Sequence, residues 1–437
     1  MDTITNNKFN EAITQANSNT RTSRTSGDFF DYGNSSAQIH IHEGEFLHNN
    51  GFRGDGMHIA IFDGGFRNYL TITAFDSVRN NNQIVETYDF VQNETSVNED
   101  DPHGMNCFSI IAANWPGQLV GSCTKAKYYL YRTEDVASEY PIEEQNWVAA
   151  AERADSIGVD VFSTSLGYNT FNNPIFNHTY ADLNGKTTLI ARANAMAAKK
   201  GIISVVAAGN DGNNSWHYIL TPADADSIVT VGSVNTAGIV SSFSAYGPSS
   251  DGRIKPTVAS VGEGTAIVSV NNQPSFGSGT SFATPNLAGL ITCFWQAFPE
   301  FTNMKIIDAI KRSSSIYTNP NARIGFGIPN FHKAYDDLFK QRALLQVNTI
   351  LGDSWIKAYP NPFKANFTIL IKPKYTGNAV FKLYGANGRL YLSKTVTTQQ
   401  GQPQFISFDN LQPLAKGIYI LRYANFLEKG NIKIMVQ

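Results

Sequence analysis

Four well-separated segments each set one reactive side chain at the edge of an apolar run. Ser281 lies in Gly277-Ser278-Gly279-Thr280-Ser281-Phe282-Ala283-Thr284-Pro285, with glycines before it and an apolar, helix-like pattern after it. That arrangement puts the serine at a helix N-terminus, where free N–H groups and the positive dipole end favour a developing oxyanion. Asp63 closes the run His58-Ile59-Ala60-Ile61-Phe62 and precedes Gly64-Gly65. An acid there sits at the carboxyl end of a strand, where open α/β sheets gather their ligands. His103, in Asp100-Asp101-Pro102-His103-Gly104, opens a second helix-like segment, and histidine is the usual proton shuttle for a serine nucleophile. Asn210 follows Val205-Val206-Ala207-Ala208-Gly209, and its amide could donate to an oxyanion together with the Ser281 N–H.

Singly, each has an ordinary explanation. A serine after glycines caps helices, Asp and Asn favour turns, and His103 is one of eight histidines. Jointly, order and context agree across four segments. Asp, then His, then Ser is the chain order of subtilisin, a worked case of how such triads are arranged.

Residues about 35–340 therefore resemble the subtilisin-like serine proteases, the subtilases. The resemblance rests on Gly279–Pro285, with support from Ala207-Ala208-Gly209-Asn210 and Ser165-Leu166-Gly167. It implies that Ser281 is the nucleophile, His103 the general base and then acid, and Asp63 the group that orients His103. It implies Asn210 as an oxyanion donor. It further implies that the backbone of Ser165-Leu166-Gly167 pairs with an extended polypeptide substrate, and that Gly167 and Ala207-Ala208-Gly209 wall the first specificity pocket. No cofactor is required for this chemistry. Two departures stand out: Asp63-Gly64-Gly65 lacks the family's hydroxyl after the aspartate, and Met105 replaces a hydroxyl near the imidazole. They motivate a second reading, an impaired subtilase fold that serves as a surface binding or adhesion module. A carbohydrate-active enzyme would need paired carboxylates across a cleft, and no pair matches the serine motif in specificity.

The elements that must hold these residues are legible from periodicity. Apolar runs at Met57–Phe62, Ala126–Tyr131, Val159–Phe162, Ile202–Ala208 and Ile228–Val234 alternate with candidate helices at 103–113, 142–157 and 186–200. Further helices are expected at 281–298, 302–313 and 331–345. The alternation predicts an α/β fold, a mostly parallel sheet flanked by helices.

Near residue 353 the pattern changes. Strand-like runs at Phe367–Ile371, Ala379–Tyr384, Leu390–Val396, Gln404–Phe408, Gly417–Tyr423 and Lys429–Val436 predict a small all-β sandwich. Residues 354–437 hold 11 Lys+Arg against 2 Asp+Glu, leaving 23 against 34 in residues 1–353, so the two parts differ in character. Tyr359-Pro360-Asn361-Pro362, Phe381–Gly388 and Gly417–Leu421 resemble the C-terminal sorting domain of proteins exported by the type IX secretion system. That resemblance implies the secretion machinery as a partner and a Gram-negative bacterial cell surface or exterior as the destination. The expected division is a flexible arm or pro-segment remnant over 1–35, a peptidase domain over 36–345, and a linker plus sorting domain over 346–437.

A net charge of −2 argues against a nucleic-acid binder that works by phosphate neutralisation. No apolar run reaches the ~18 residues of a membrane span. Cys107, Cys123 and Cys293 fit no zinc spacing, and Cys107 and Cys293 read as small core residues. No metal ligand set is assigned. Glu99-Asp100-Asp101 could hold a structural calcium, although a solvated acidic loop is the reading the sequence favours. Ile39-His40-Ile41-His42 reads as a surface strand with its histidines on one face.

Overall fold

A computed structural model describes residues 27–437 except 353, 410, 412, 413 and 427. The arm expected over 1–35 lies outside the described residues as far as 26. From there the chain is packed: buried Tyr32 meets His48 Nδ1 through its hydroxyl at 2.6 Å, and Ser35 Oγ donates to the Val120 carbonyl at 2.7 Å. The chain forms two compact units, one over residues 26–338 and one that includes 339–437.

In the larger unit, among the described residues, seven strands build one sheet. They are β1 (His58–Asp63), β2 (Ile84–Asp89), β3 (Lys127–Arg132), β4 (Val161–Thr164), β5 (Ile203–Ala207), β6 (Val229–Val234) and β7 (Val258–Val261). Their order is β2-β3-β1-β4-β5-β6-β7, and every neighbouring pair is parallel. Parallel neighbours need crossovers. Helices α1 (His103–Ala112), α2 (Ile142–Ser156) and α3 (Leu189–Lys200) supply three of them. Strands β4 to β7 are buried along their whole length, and β5 and β6 accordingly fall within the apolar runs Ile202–Ala208 and Ile228–Val234. Trp147 of α2 packs with Phe62 of β1 and Phe162 of β4 in one core.

The chain leaves β1 for β2 and β3 on one side, then crosses to β4 on the other. Strand order therefore reverses around β1, and the crevice outside the carboxyl ends is the place where such sheets bind ligands. Helix α4 (Thr280–Gln296) is buried from Thr280 to Phe294 and packs on α1 and on β4 to β7. A helix apolar on all sides belongs in a core, and its N-terminus is brought to the crevice.

Several expectations need correction. Ile39–His42 is not a surface strand: Ser36–His40 is a short helix, and His42 is fully buried between the Pro329 carbonyl (2.9 Å) and Ser260 Oγ (2.8 Å). Burial pushes its imidazole down to about 4, so it is a neutral core residue. Edge strands β2 and β7 were missed. β2 is only partly buried and carries Glu86 and Asp89, while β7 is four residues long. The helix expected over 331–345 runs as Phe331–Leu351, through residues read as linker.

In the second unit a three-stranded antiparallel sheet (Ile356–Tyr359, Phe367–Ile371, Gln404–Phe408) accompanies a four-stranded one (Leu390–Thr398, Gly377–Gly385, Gly417–Asn425, Glu428–Val436). Both sheets feed one core that holds Phe367, Phe381, Phe408, Leu421 and Ile434, with the Phe367 and Phe408 rings stacked at 4.8 Å. The product is a small β-sandwich.

Candidate active site

The last residue of β1 is Asp63, and the first of α1 is His103. The structure joins them: His103 Nδ1 lies 2.7 Å from Asp63 Oδ1. Approach this close depends on Gly104, because a Cβ there would lie 2.4 Å from the Gly65 carbonyl oxygen and 2.7 Å from Asp63 Cβ. The Asp63 side chain is almost wholly buried, while that of His103 is about one third exposed. Burial pulls the imidazole pKa down. The Asp63 carboxylate outweighs that and holds it well above the ordinary histidine value. Asp63 Oδ1 also accepts the Gly64 N–H at 2.8 Å, whereas the buried Oδ2 has no partner among the described residues. Met105 is fully buried, and the His103–Asp63 contact forms with methionine at that position.

The acidic run before His103 is partly exposed, but its carboxylates are engaged by the protein's own donors. Asp100 reaches Arg132 Nη1 at 3.0 Å, Asp101 accepts the His103 N–H at 2.8 Å, and Glu99 accepts from Ser96 and Asn98. Arg132, buried at the end of β3, also binds Asp89 Oδ2 at 2.7 Å and the Gly64 carbonyl at 3.2 Å. One guanidinium thus ties β2, the Asp63 turn and the loop that delivers His103.

Ser281 stands in the first turn of α4 and is 8% exposed. Its Oγ donates to the Ser165 carbonyl at 3.3 Å, not to His103. The residue four positions on is Pro285, which has no N–H to offer the Ser281 carbonyl. That carbonyl is met instead by Ser165 Oγ at 2.9 Å and more weakly by the Cys107 thiol at 3.4 Å. Cys107 Sγ is also 3.9 Å from His103 Nδ1, a placement its apolar surroundings in the sequence did not signal.

Asn210 is fixed through its carbonyl, which accepts Thr280 N at 2.8 Å and Thr280 Oγ1 at 3.1 Å. Its Nδ2 and the Ser281 N–H have no acceptor among the described residues. They flank one small space: a Cβ built on Gly279 would lie 3.6 Å from Nδ2 and 3.7 Å from Ser281 N. Two free donors converging beside a serine hydroxyl can hold a negative oxygen.

A cleft of about 340 Å³ opens here, lined by Ser281, Asn210, Ser165, Leu166, Gly167, Ala207 and Gly209. Ala208 does not line it. That residue is fully buried, packs with Val206 and Ile219, and gives its N–H to Val231 in the sheet. Sequence reasoning missed the other wall, which includes Glu134, Glu139 and Glu143.

Comparison with known proteins agrees with this geometry. Residues 54–327 match the subtilase family, and residues 357–437 match the secretion system C-terminal sorting domain. Subtilisin of Bacillus pumilus is 28% identical over 66% of this chain and 94% of its own length. The thermostable alkaline protease of Halalkalibacterium halodurans is 25% identical over 63% of this chain and 66% of its own length, so the match spans just under two thirds of that relative. Among solved structures, MycP1 from Mycobacterium smegmatis superposes with a TM-score of 0.55 at 21% identity, over 71% of this chain and 86% of that one. The prenylagaramide maturation protease PagA superposes with a TM-score of 0.54 at 18% identity, over 68% of this chain and 98% of that one, and both likenesses speak to the fold. With a family model covering most of its length, a parallel sheet of the expected kind and a sorting domain behind it, the chain belongs to the subtilase family of serine endopeptidases.

Proposed function

We propose that the chain is a secreted serine endopeptidase that hydrolyses peptide bonds through an acyl-enzyme on Ser281. The observation that carries this reading is the Asp63–His103 contact of 2.7 Å beside a serine flanked by two free donors. In the reaction, Ser281 Oγ turns from the Ser165 carbonyl toward His103 and attacks the scissile carbonyl as His103 Nε2 takes its proton. The carbonyl π bond opens, and the oxyanion is held by the Ser281 N–H and Asn210 Nδ2. Collapse expels the amine, which takes the proton from His103, and water then releases the acyl group by the same steps in reverse. Asp63 fixes the imidazole with Nδ1–H toward Oδ1, leaving Nε2 to act as base.

The backbone of Ser165-Leu166-Gly167 receives an extended polypeptide as an added strand, and Ala207 and Gly209 complete the wall. The chemistry calls for no cofactor. The carboxylates of Glu99–Asp101, candidate ligands for a structural calcium, already serve the protein's own donors. The C-terminal unit takes no part in catalysis. It addresses the chain to the type IX machinery of a Gram-negative bacterium, for release or display at the surface.

Labelling with a fluorophosphonate, on the full chain and on Ser281→Ala, followed by peptide mapping, tests the reading. Modification of Ser281 that is absent from the variant supports it. A folded wild type that resists labelling overturns it and favours the surface binding module.

A further inference from the structure

Part of the lining of the cleft is acidic. Glu134, Glu139 and Glu143 line the same cavity as Ser281 and Asn210, and none forms an ion pair among the described residues. Glu134 is 7% exposed, and both hydrogen bonds it accepts, from Tyr168 and Thr133, fall on Oε1. Its Oε2 has no partner among the described residues and belongs to a side chain that borders the cavity. Glu143 accepts the N–H groups of Asp135 and Tyr140 at 2.9 and 3.0 Å, which fixes its carboxylate in place. Glu139 is half-buried and has no side-chain hydrogen bond among the described residues.

Three carboxyl groups bordering one cavity without a cation are costly to ionise together, and a bound cation would relieve that cost. Burial drives Glu134 up to about 8, with Glu143 adding to the rise, and burial together with Glu143 drives Glu139 up to about 7. A compact metal ion would not meet that cost well. Among the described residues, three potential ligand atoms within 4.8 Å of one another occur at Asp63, His103 and Cys107, not in this wall. The glutamates instead border one cavity with the candidate nucleophile without forming a tight ligand cluster. A long, flexible cationic side chain anchored to a bound peptide could reach several of them.

We infer that this wall receives a lysine or arginine side chain of the substrate, from a residue on the acyl side of the scissile bond. The inference rests on the endopeptidase reading, since it takes the cavity at Ser281 as the peptide-binding cleft. It makes the enzyme one that selects basic sequences.

The test uses four acetyl-tetrapeptide p-nitroanilides, tetra-alanine with arginine at one position in turn, and four partners with citrulline in place of arginine. Citrulline keeps the shape and removes the charge. Binding is measured on full-length Ser281→Ala, and turnover on the wild type. At one or more positions arginine should bind and turn over about tenfold or more better than citrulline, the lower range for close buried charge pairs. In Glu139→Gln, and separately in Glu134→Gln, that ratio should fall toward one. Equal arginine and citrulline affinities at all four positions, or a ratio unchanged in both variants, overturn the inference. Because binding to Ser281→Ala needs no catalysis, a wild type without turnover would count against the endopeptidase reading alone.

Discussion

Asp63 holds His103 through one carboxylate oxygen: Oδ1 takes both His103 Nδ1 at 2.7 Å and the Gly64 N–H at 2.8 Å, and the buried Oδ2 takes nothing among the described residues. The residue after the aspartate is glycine, so the hydroxyl that subtilases usually carry there is missing. An unsatisfied buried acceptor costs about 1–3 kcal/mol. It also lets the carboxylate rock about its one anchored oxygen.

Gly64→Ser should therefore stabilise the fold by about 1 kcal/mol and raise kcat severalfold by fixing the carboxylate plane. The new Cβ would meet Val136 Cγ1 at 2.9 Å, and Val136 is an exposed side chain with room to turn away. Urea unfolding and peptidase kinetics on the full chain check this. Unchanged stability would mean that the hydroxyl does not reach Oδ2.

Asn210→Ala and Asn210→Asp separate the two ends of one amide. Both remove the Nδ2 donor, but aspartate keeps an oxygen for Thr280 N, now 2.8 Å from Oδ1. Both variants should lose about 10²–10³ in kcat with KM little changed. That magnitude is the one measured for the oxyanion donor of subtilisin, a member of this family, and is expected here on the proposed role of Asn210. A loss confined to the alanine variant would assign Asn210 to anchoring α4 instead.

The candidate groups could be picked out because Asp63 and Asn210 follow apolar strand runs and His103 and Ser281 open helix-like patterns, signals that mark buried elements by themselves. What joins those groups was not legible. Arg132 and Asp89 sit at strand ends where a charged residue normally marks the surface, yet here they form a buried link to Asp100. Glu134, Glu139 and Glu143 lie outside any motif, and only the fold, through the segment after β3 and the first turn of α2, brings them to the same cavity as Ser281. Ala208 was misplaced for a simpler reason. Its side chain turns into the core beside Val206 and Ile219 while its neighbours Ala207 and Gly209 face the cleft, and the sequence run alone does not say which residue faces which way.

The elevated pKa of His103 fixes the direction of the pH profile. The base must be neutral, so kcat/KM should fall as pH drops through a value above the ordinary ~6.5, placing best activity on the alkaline side. The stability effect has the opposite sense: protonated His103 paired with Asp63 stabilises the fold below the unfolded value, and that contribution is lost as pH rises through the folded one. Asp63→Asn should move the kinetic pKa down as well as slow turnover. Burial pushes Glu139 up to about 7 and Glu134 up to about 8, so the profile is read with an uncharged substrate and repeated in Glu139→Gln and Glu134→Gln.

The Ser281 carbonyl offers a test with a built-in rescue. Because Pro285 supplies no N–H, that buried oxygen depends on Ser165 Oγ at 2.9 Å, with Cys107 a weaker second donor at 3.4 Å. Ser165→Ala should cost about 1–3 kcal/mol of stability, the penalty for an acceptor left with a thiol alone, and should lower kcat as the first turn of α4 loosens. Pro285→Ala places an N–H four residues after Ser281, where the helix would aim it at the same oxygen. The double variant Ser165→Ala/Pro285→Ala should therefore recover most of the stability lost in Ser165→Ala. Unfolding midpoints of the two singles and the double give the coupling directly. Strict additivity would show that Ser165 acts on Ser281 through the cleft wall rather than through its carbonyl.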